Sequence, residues 1–173
     1  MTSRTALSHL GKVLDGQSIH WVLIGALAAN RYRASPRLTN DIDLLLANTG
    51  EGIDTLEATL TGAGWSVHRA DPGGELLRLT HAEYGVADLL IAGTRYQELA
   101  IQRALVEPID DVSEVPVLAP EDVIVHKLIA GRYQDFADID AILDTDLTLD
   151  EQYIEHWAGY WEVLDRWEQL NER

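Results

Sequence analysis

Hydrophobic positions along the chain follow two different periods, which predict helices and strands in alternation. Leu7, Leu10 and Leu14 recur at helical spacing and predict a first helix that ends at Gly16. Residues 19–24 form a short apolar run rich in β-branched and aromatic side chains, which is typical of a buried strand. The same criteria predict further helices at 26–33, 53–63, 94–105, 120–131, 133–143 and 149–170, and further strands at 41–46, 65–70, 76–81, 86–91 and 115–118.

This order of elements predicts an α/β (α+β) fold, in which a small mixed sheet with flanking helices is followed by a helical C-terminal part. We place the core at residues 1–118 and the helical region at 119–173, and we expect them to pack as a single compact unit. The last predicted helix carries three of the five tryptophans. Because large aromatic side chains gain most from burial, we expect their face to dock on the core. A homodimer or partner interface is the alternative.

Composition narrows the class of protein. The 173 residues carry 29 acidic against 13 basic side chains, for a net charge of −16, and 46% of them are hydrophobic. A chain of this length and apolar content is expected to bury a real core. The absence of cysteine excludes disulfides, thiolate metal sites and cysteine nucleophiles. We expect a soluble cytoplasmic protein without a membrane partner, whose charge disfavours general electrostatic binding of nucleic acid.

The candidate chemistry begins with carboxylates in apolar strands. An Asp-x-Asp pattern occurs three times, but only Asp41 and Asp43 fall in a predicted strand, where alternate residues face the same side. Asp88 is a single acid within the apolar strand at 86–91. Carboxylates beside buried strands are costly without a compensating cation, and hard divalent ions such as Mg²⁺ prefer carboxylate oxygens. If these strands are neighbours, the three aspartates converge on a site suited to metal-assisted phosphoryl transfer.

A candidate phosphate-binding segment precedes these carboxylates. Gly25 ends the first predicted strand and a helix opens at Ala26, a junction where backbone N–H groups attract phosphate. Arg31, Arg33 and Arg37 follow within seven residues, which is a local excess of positive charge in an acidic chain. They suit a triphosphate or an RNA backbone. Alternatively, they lie in a solvated loop and compensate nearby acids.

Together these residues resemble the nucleotidyltransferase superfamily with the DNA-polymerase-β-like fold. The superfamily pattern is a hydrophobic strand, Gly followed by Gly or Ser, a helix, Asp-hydrophobic-Asp on the next strand, and a third Asp on a later strand. The string at 37–44, Arg-Leu-Thr-Asn-Asp-Ile-Asp-Leu, is similar to the Arg-x-[Ser/Thr]-x-Asp-hydrophobic-Asp-Leu motif of the AbiEii-like toxin branch. Lys127 followed by Asp135 and Asp138 resembles the Lys…Asp-x-x-Asp motif of that branch. The resemblance runs from about residue 19 to residue 143.

The resemblance implies an enzyme that transfers a nucleoside monophosphate from an NTP to a hydroxyl acceptor, in a toxin–antitoxin or phage-defence setting. Acceptor RNA or tRNA, a protein or a small molecule all remain open, and a cognate toxin or antitoxin partner is expected. Asp41, Asp43 and Asp88 are then the catalytic residues that hold one or two Mg²⁺ ions, with Mn²⁺ as a substitute. The nucleotide-binding residues that the resemblance implies are Gly25, Ala26, Arg37, Thr39 and Lys127.

Several alternatives remain open at this point. Asp135 and Asp138 are three residues apart on one helical face, where they orient Lys127 or an acceptor group, or else pair with Arg132 or lie in solvent. Ala26 stands where the superfamily has Gly or Ser, so a hydroxyl contact to phosphate is lost. This departure favours a second hypothesis, a protein with the same fold that binds nucleotide or a partner without turnover, such as an antitoxin or regulator. A plain acidic domain with solvated carboxylates is the third.

Overall fold

The computed structural model describes residues 3–39, 41–48, 50, 52–109 and 112–171. The strands are β1 (Trp21–Leu23), β2 (Ile42–Leu46), β3 (Ser66–Arg69), β4 (Leu76–His81), β5 (Gly85–Ile91), β6 (Leu105–Ile109) and β7 (Val112–Val117). The helices are α1 (Ser3–Gly16), α2 (Gly25–Asn30), α3 (Ile53–Gly62), α4 (Arg95–Gln102), α5 (Pro120–Ala130), α6 (Tyr133–Leu143), α7 (Glu151–Tyr160) and α8 (Leu164–Asn171).

One mixed sheet of seven strands organises the molecule, in the order β3-β4-β5-β2-β1-β7-β6. The β2–β5 and β1–β7 pairs are parallel and the other pairs are antiparallel. The central strand β2 reads Ile-Asp-Leu-Leu-Leu, and its four apolar side chains are almost completely buried. This burial on both faces explains why the strand is continuously hydrophobic and why its one aspartate is conspicuous in the sequence. The predicted α/β fold class is confirmed.

Two elements differ from the sequence prediction by more than a shift of a few residues at one end. The helix predicted at 94–105 ends at Gln102, and the chain continues as β6, an edge strand that the sequence analysis missed. Glu107 and Pro108 hide β6 from a hydrophobicity pattern, because an edge strand tolerates both a charge and a proline. The helix predicted at 149–170 is two helices, and the turn between them contains Glu162 in a left-handed conformation with φ 57°.

The C-terminal helices pack on the α/β core. The ring centroid of Trp157 lies 4.7 Å from that of Tyr96 on α4, and Trp167 is 1% exposed. Buried Asp122 on α5 accepts hydrogen bonds from Arg103 Nε at 3.0 Å and from the Tyr153 hydroxyl at 2.7 Å. Trp157 and Trp167 therefore pack within the chain, while a homodimer through this face stays a prediction. No helix in the described part of the chain combines the length and apolar character needed to cross a bilayer.

Candidate active site

The three candidate catalytic aspartates line one cleft of about 910 Å³. Asp43 lies in β2 and is directly opposite Asp88 in the parallel β2–β5 pair. Asp41 immediately precedes β2 and is exposed at the mouth of the cleft. The predicted convergence of these side chains follows from the strand order, because β2 and β5 are neighbours although 38 residues lie between Leu46 and Gly85 in the sequence.

Asp43 is the most strongly perturbed carboxyl group of the cleft. Burial, together with the nearby negative charges of Asp88 and Asp41, raises the pKa of Asp43 to about 6. Gly25 packs directly against it with φ +68°, and a Cβ at this glycine would lie 2.1 Å from Asp43 Oδ2. Gly25 is therefore required both by its backbone conformation and by the space that the carboxylate occupies.

The third carboxylate has a basic partner that the sequence analysis did not identify. Arg78 on β4 is opposite Asp88 in the antiparallel β4–β5 pair. Its Nε donates to Asp88 Oδ1 at 2.9 Å and its Nη2 to Oδ2 at 2.7 Å. Both oxygens of Asp88 are thus engaged by one guanidinium group.

Lys127 on α5 lines the facing wall of the cleft and belongs to a buried ionic network. Its Nζ lies 3.2 Å from Asp135 Oδ1 and 2.6 Å from Asp138 Oδ2, and all three side chains are at most 6% exposed. Burial acts to raise the pKa of Asp138, but hydrogen bonds from Arg37 and Lys127 outweigh it and hold that pKa below its usual range. These contacts use two of the three N–H donors of Lys127, and the roles of Asp135 and Asp138 towards a ligand stay predictions.

The arginines after α2 join this network rather than extending freely towards a ligand. Arg37 Nε donates to Asp138 Oδ1 at 3.0 Å, and Arg33 binds the same carboxylate. Arg31 pairs instead with Glu107 on β6. These pairs agree with the alternative in which the arginines compensate nearby acids, while Arg37 also lines the cleft and its nucleotide-binding role stays a prediction.

Two other predicted nucleotide-binding residues lie beside the aspartates. Thr39 Oγ1 accepts a long hydrogen bond from the Asp41 backbone N–H at 3.4 Å, and it therefore supports the segment that leads into β2. Ala26 lines the cleft at the start of α2 and is 8% exposed. Asn40, the remaining residue of this motif, lies outside the described residues.

Asp41 and Asp43 fit a hard divalent ion better than Asp88 does. Their oxygens are the donor type that Mg²⁺ prefers, and the raised pKa of Asp43 marks a site where negative charge is undercompensated. Asp88, in contrast, is already paired with Arg78. In the described residues, no group of three or more histidine and carboxylate side chains is arranged to hold one metal ion.

Comparison with known proteins identifies the family of this chain. The family model described as "Nucleotidyl transferase AbiEii toxin, Type IV TA system" matches residues 6–170. The chain belongs to the AbiEii nucleotidyltransferase family. The match reaches through α7 and almost to the end of α8, well beyond the segment in which the sequence resemblance was recognised. A search of curated protein sequences finds no match.

Solved structures of nucleotidyltransferases share the fold of this AbiEii protein. An antigenic nucleotidyltransferase-like protein from Paracoccidioides brasiliensis is 16% identical, with a TM-score of 0.60 over 98% of this chain and 90% of that one. ANT(2'')-Ia in complex with adenylyl-2''-tobramycin is 16% identical, with a TM-score of 0.63 over 91% and 95% of the two chains. The lincomycin-bound lincosamide antibiotic adenylyltransferase LnuA is 14% identical, with a TM-score of 0.58 over 83% and 98%.

The cleft contains further residues that sequence reasoning did not place there. Arg132 extends from the start of α6 with 78% of its side chain exposed, while its Nε donates to Asp135 Oδ2 at 2.7 Å. Tyr133, the next residue, is 92% exposed and lines the same cleft. His126 also lines the cleft, and burial lowers its pKa to about 4, so that the imidazole is neutral at pH 7. The Lys…Asp-x-x-Asp motif was the available signal, since Arg132 and Tyr133 lie between its Lys127 and Asp135 and His126 immediately precedes Lys127.

Proposed function

We propose that this AbiEii protein is a Mg²⁺-dependent enzyme that transfers a nucleoside monophosphate from an NTP to a hydroxyl acceptor. The observation that carries the proposal is the meeting of Asp41, Asp43 and Asp88 on one wall of a cleft whose other wall presents Lys127 and Arg132. Negative side chains for a metal ion and positive side chains for phosphates are the two requirements of phosphoryl transfer. A cleft of about 910 Å³ has room for a nucleotide.

Each wall has a distinct role in the proposed reaction. Asp41 and Asp43 would hold the divalent ion, which when bound supplies charge neutralisation and orientation to the triphosphate. Gly25 keeps the backbone clear of the Asp43 carboxylate. Lys127, oriented by Asp135 and Asp138, and Arg132 would bind phosphate oxygens from the opposite side.

The acceptor hydroxyl would attack the α-phosphorus in line, and the bond to the leaving pyrophosphate would break. Asp88 is the group we assign to the acceptor side, where a carboxylate can accept the hydroxyl proton. RNA, especially tRNA, is the acceptor class we favour, because the toxin family name points to an essential cellular target. The −16 charge of the chain disfavours nucleic acid, and two proteins with the same fold were solved as antibiotic complexes. Protein and small-molecule acceptors are therefore also tested in the experiment below.

The decisive experiment is label transfer from each of four α-³²P-NTPs with Mg²⁺, given total RNA, cell lysate or protein alone. Wild type should label one fraction, and Asp43→Asn should lower that labelling by about a hundredfold or more, because its effect on the bound ion is greatest in the transition state. Labelling that survives in Asp43→Asn would remove Asp43 from the mechanism.

The fold of Asp43→Asn provides the control. Because the pKa of Asp43 is raised in the folded protein, its ionisation weakens folding as the pH rises from about 4 to about 6. Asp43→Asn should therefore be more stable than wild type at pH 8, by up to about 3 kcal/mol of unfolding free energy, and about as stable as wild type near pH 4. A variant that is inactive yet more stable at pH 8 has lost chemistry and kept its fold.

The label-transfer assay, combined with a melting measurement, also tests the second candidate function, which is nucleotide binding without turnover. Ala26, which has no hydroxyl to offer a phosphate, is the observation that favours it. An NTP with Mg²⁺ that raises the melting temperature of wild type, without labelling any fraction, would establish this binding function in place of the enzyme.

A further inference from the structure

The pairing of Arg78 with Asp88 is unusual because it covers a carboxylate of the proposed catalytic set. The guanidinium fork meets both carboxylate oxygens, at 2.9 Å and 2.7 Å, and leaves neither without a positive partner. Such a two-point contact satisfies the planar geometry of both groups. The sheet register maintains it, since Arg78 is directly opposite Asp88.

Asp88 has a negatively charged neighbour on one adjacent strand and a positively charged neighbour on the other. On one side, its neighbour in the parallel pair is Asp43, and on the other its antiparallel neighbour is Arg78. Arg78 is held by Asp88 at short range and is also within the field of Asp41 and Asp43. It thus supplies one positive charge to a group of three carboxylates, where a divalent ion would supply two.

The contact is geometrically good but easily exchanged. The Arg78 side chain is 57% exposed and that of Asp88 is 24% exposed. An ion pair this open to solvent contributes about 0–1 kcal/mol. A divalent ion that binds the same carboxylate can therefore replace Arg78 without disturbing the core.

We propose that Arg78 competes with a divalent cation for Asp88, so that in the substrate-free protein the guanidinium occupies the ligand positions of the third carboxylate. Asp41 and Asp43 then take the first ion, and a second ion binds Asp88 only when Arg78 moves away. This inference rests on the proposed function, and it adds a residue that sets the metal stoichiometry of the site.

Mn²⁺ binding, measured from the loss of the free-ion electron paramagnetic resonance signal, tests the proposal without any need for activity. Arg78→Gln should bind a second Mn²⁺ up to about fivefold more tightly than wild type, because fivefold equals about 1 kcal/mol, the upper value for an exposed ion pair. Arg69→Gln is the matched control, because Arg69 lies on the adjacent strand β3 and also pairs with two carboxylates, Asp54 and Glu57, outside the cleft. Both variants lose one positive charge, so an effect of net charge alone would appear in each, whereas the field that Arg78 exerts on Asp41 and Asp43 is tested by Arg78→Lys, which keeps the charge.

Two further variants make the result specific. In Arg78→Lys, a single ammonium group cannot cover both carboxylate oxygens, so the affinity for the second Mn²⁺ should lie between those of wild type and Arg78→Gln. This variant replaces Arg78→Gln in the test if the glutamine variant folds poorly. The double variant Arg78→Gln/Asp88→Asn should lose the gain in the second affinity. If Arg78→Gln and Arg69→Gln bind Mn²⁺ alike, the competition proposed for Arg78 is wrong.

Asp43→Asn separates this failure from a failure of the proposed function. If Asp43→Asn abolishes the first Mn²⁺ site while Arg78→Gln matches its control, the metal site stands and only the role of Arg78 is overturned. If Asp43→Asn binds Mn²⁺ as wild type does, the ion lies elsewhere, and both the metal site and the role of Arg78 are overturned.

Discussion

At the scale of single residues, Gly25 explains why the strand-to-helix junction matters in this chain. The sequence suggested a phosphate-binding turn, whereas the structure adds a second reason for the glycine. Its Cα faces the Asp43 carboxylate so closely that a Cβ would lie 2.1 Å from Oδ2. The residue that begins α2 therefore also fixes where the central carboxylate of the cleft can lie.

We predict that Gly25→Ala lowers nucleotidyl transfer by about tenfold or more, because a misplacement of about 1 Å in a catalytic group has effects of this size or greater. Gly50→Ala is the matched control, since Gly50 has nearly the same φ, +70° against +68°, and no atom within 4 Å of its added Cβ. Both substitutions carry the left-handed backbone cost of about 1–2 kcal/mol. Label transfer at equal rates by the two variants would show that Asp43 does not depend on Gly25.

Arg78 shows the limit of sequence reasoning at this scale. Asp41, Asp43 and Asp88 could be found because each charge interrupts or adjoins an apolar run. Arg78 could not be found from the sequence, because arginine is common on the exposed face of a strand. Its partner depends on the register of β4 against β5. Register is a property of two strands together, and neither strand alone contains it.

At the scale of elements, the network around Asp138 connects the segment after α2 with α5 and α6. Asp138 is 1% exposed and accepts contacts from Lys127, Arg37 and Arg33. Arg37 and Lys127 are 90 positions apart in the sequence, yet both bind the Asp138 carboxylate. Sequence spacing indicated that Asp135 and Asp138 share a helical face, but not that Arg37 would reach the same face.

We predict that Asp138→Asn destabilises the protein by about 2–4 kcal/mol, because it leaves partly buried cations without their shared counter-charge. The pKa of Asp138 is held below its usual range, so its contribution is present at neutral pH and is lost only as the pH falls through the lowered pKa. Urea unfolding should therefore show the full difference from pH 8 down to about pH 4. Asp146→Asn, in the exposed loop after α6, should change stability by about 0.5 kcal/mol or less. Equal midpoints for the two variants would contradict the network.

The C-terminal helices show which helix boundaries the hydrophobic pattern predicts and which it does not. The 133–143 helix was predicted with the bounds that the structure has, since its apolar spacing and its flanking Gly131 are local signals. The break between α7 and α8 was missed because the aromatic side chains continue at helical spacing across it. The turn places Glu162 at φ 57°, a conformation for which glutamate gives no sequence signal.

At the scale of the whole molecule, the helical region and the α/β core are joined by polar as well as aromatic contacts. Asp122 on α5 links Arg103, just after α4, with Tyr153 on α7. Arg166 on α8 donates to the Leu128 carbonyl near the end of α5. Since α5 also carries Lys127, the packing of α7 and α8 supports one wall of the cleft.

This arrangement predicts that residues 1–118 and 119–173 unfold together in one cooperative transition. Tyr153→Phe removes the hydroxyl that donates to buried Asp122 at 2.7 Å, and a hydrogen bond to a charged group contributes about 1.5–3 kcal/mol. It should therefore lower the stability of β2 and α7 equally, as followed by hydrogen exchange of their peptides in urea. Tyr160→Phe on the same helix is the matched control, because Tyr160 is 62% exposed and its loss of a hydroxyl should leave the midpoint unchanged. Exchange in α7 at a lower urea concentration than in β2 would instead reveal two independent units, and the C-terminal helices would then have no part in holding Lys127 against the catalytic aspartates.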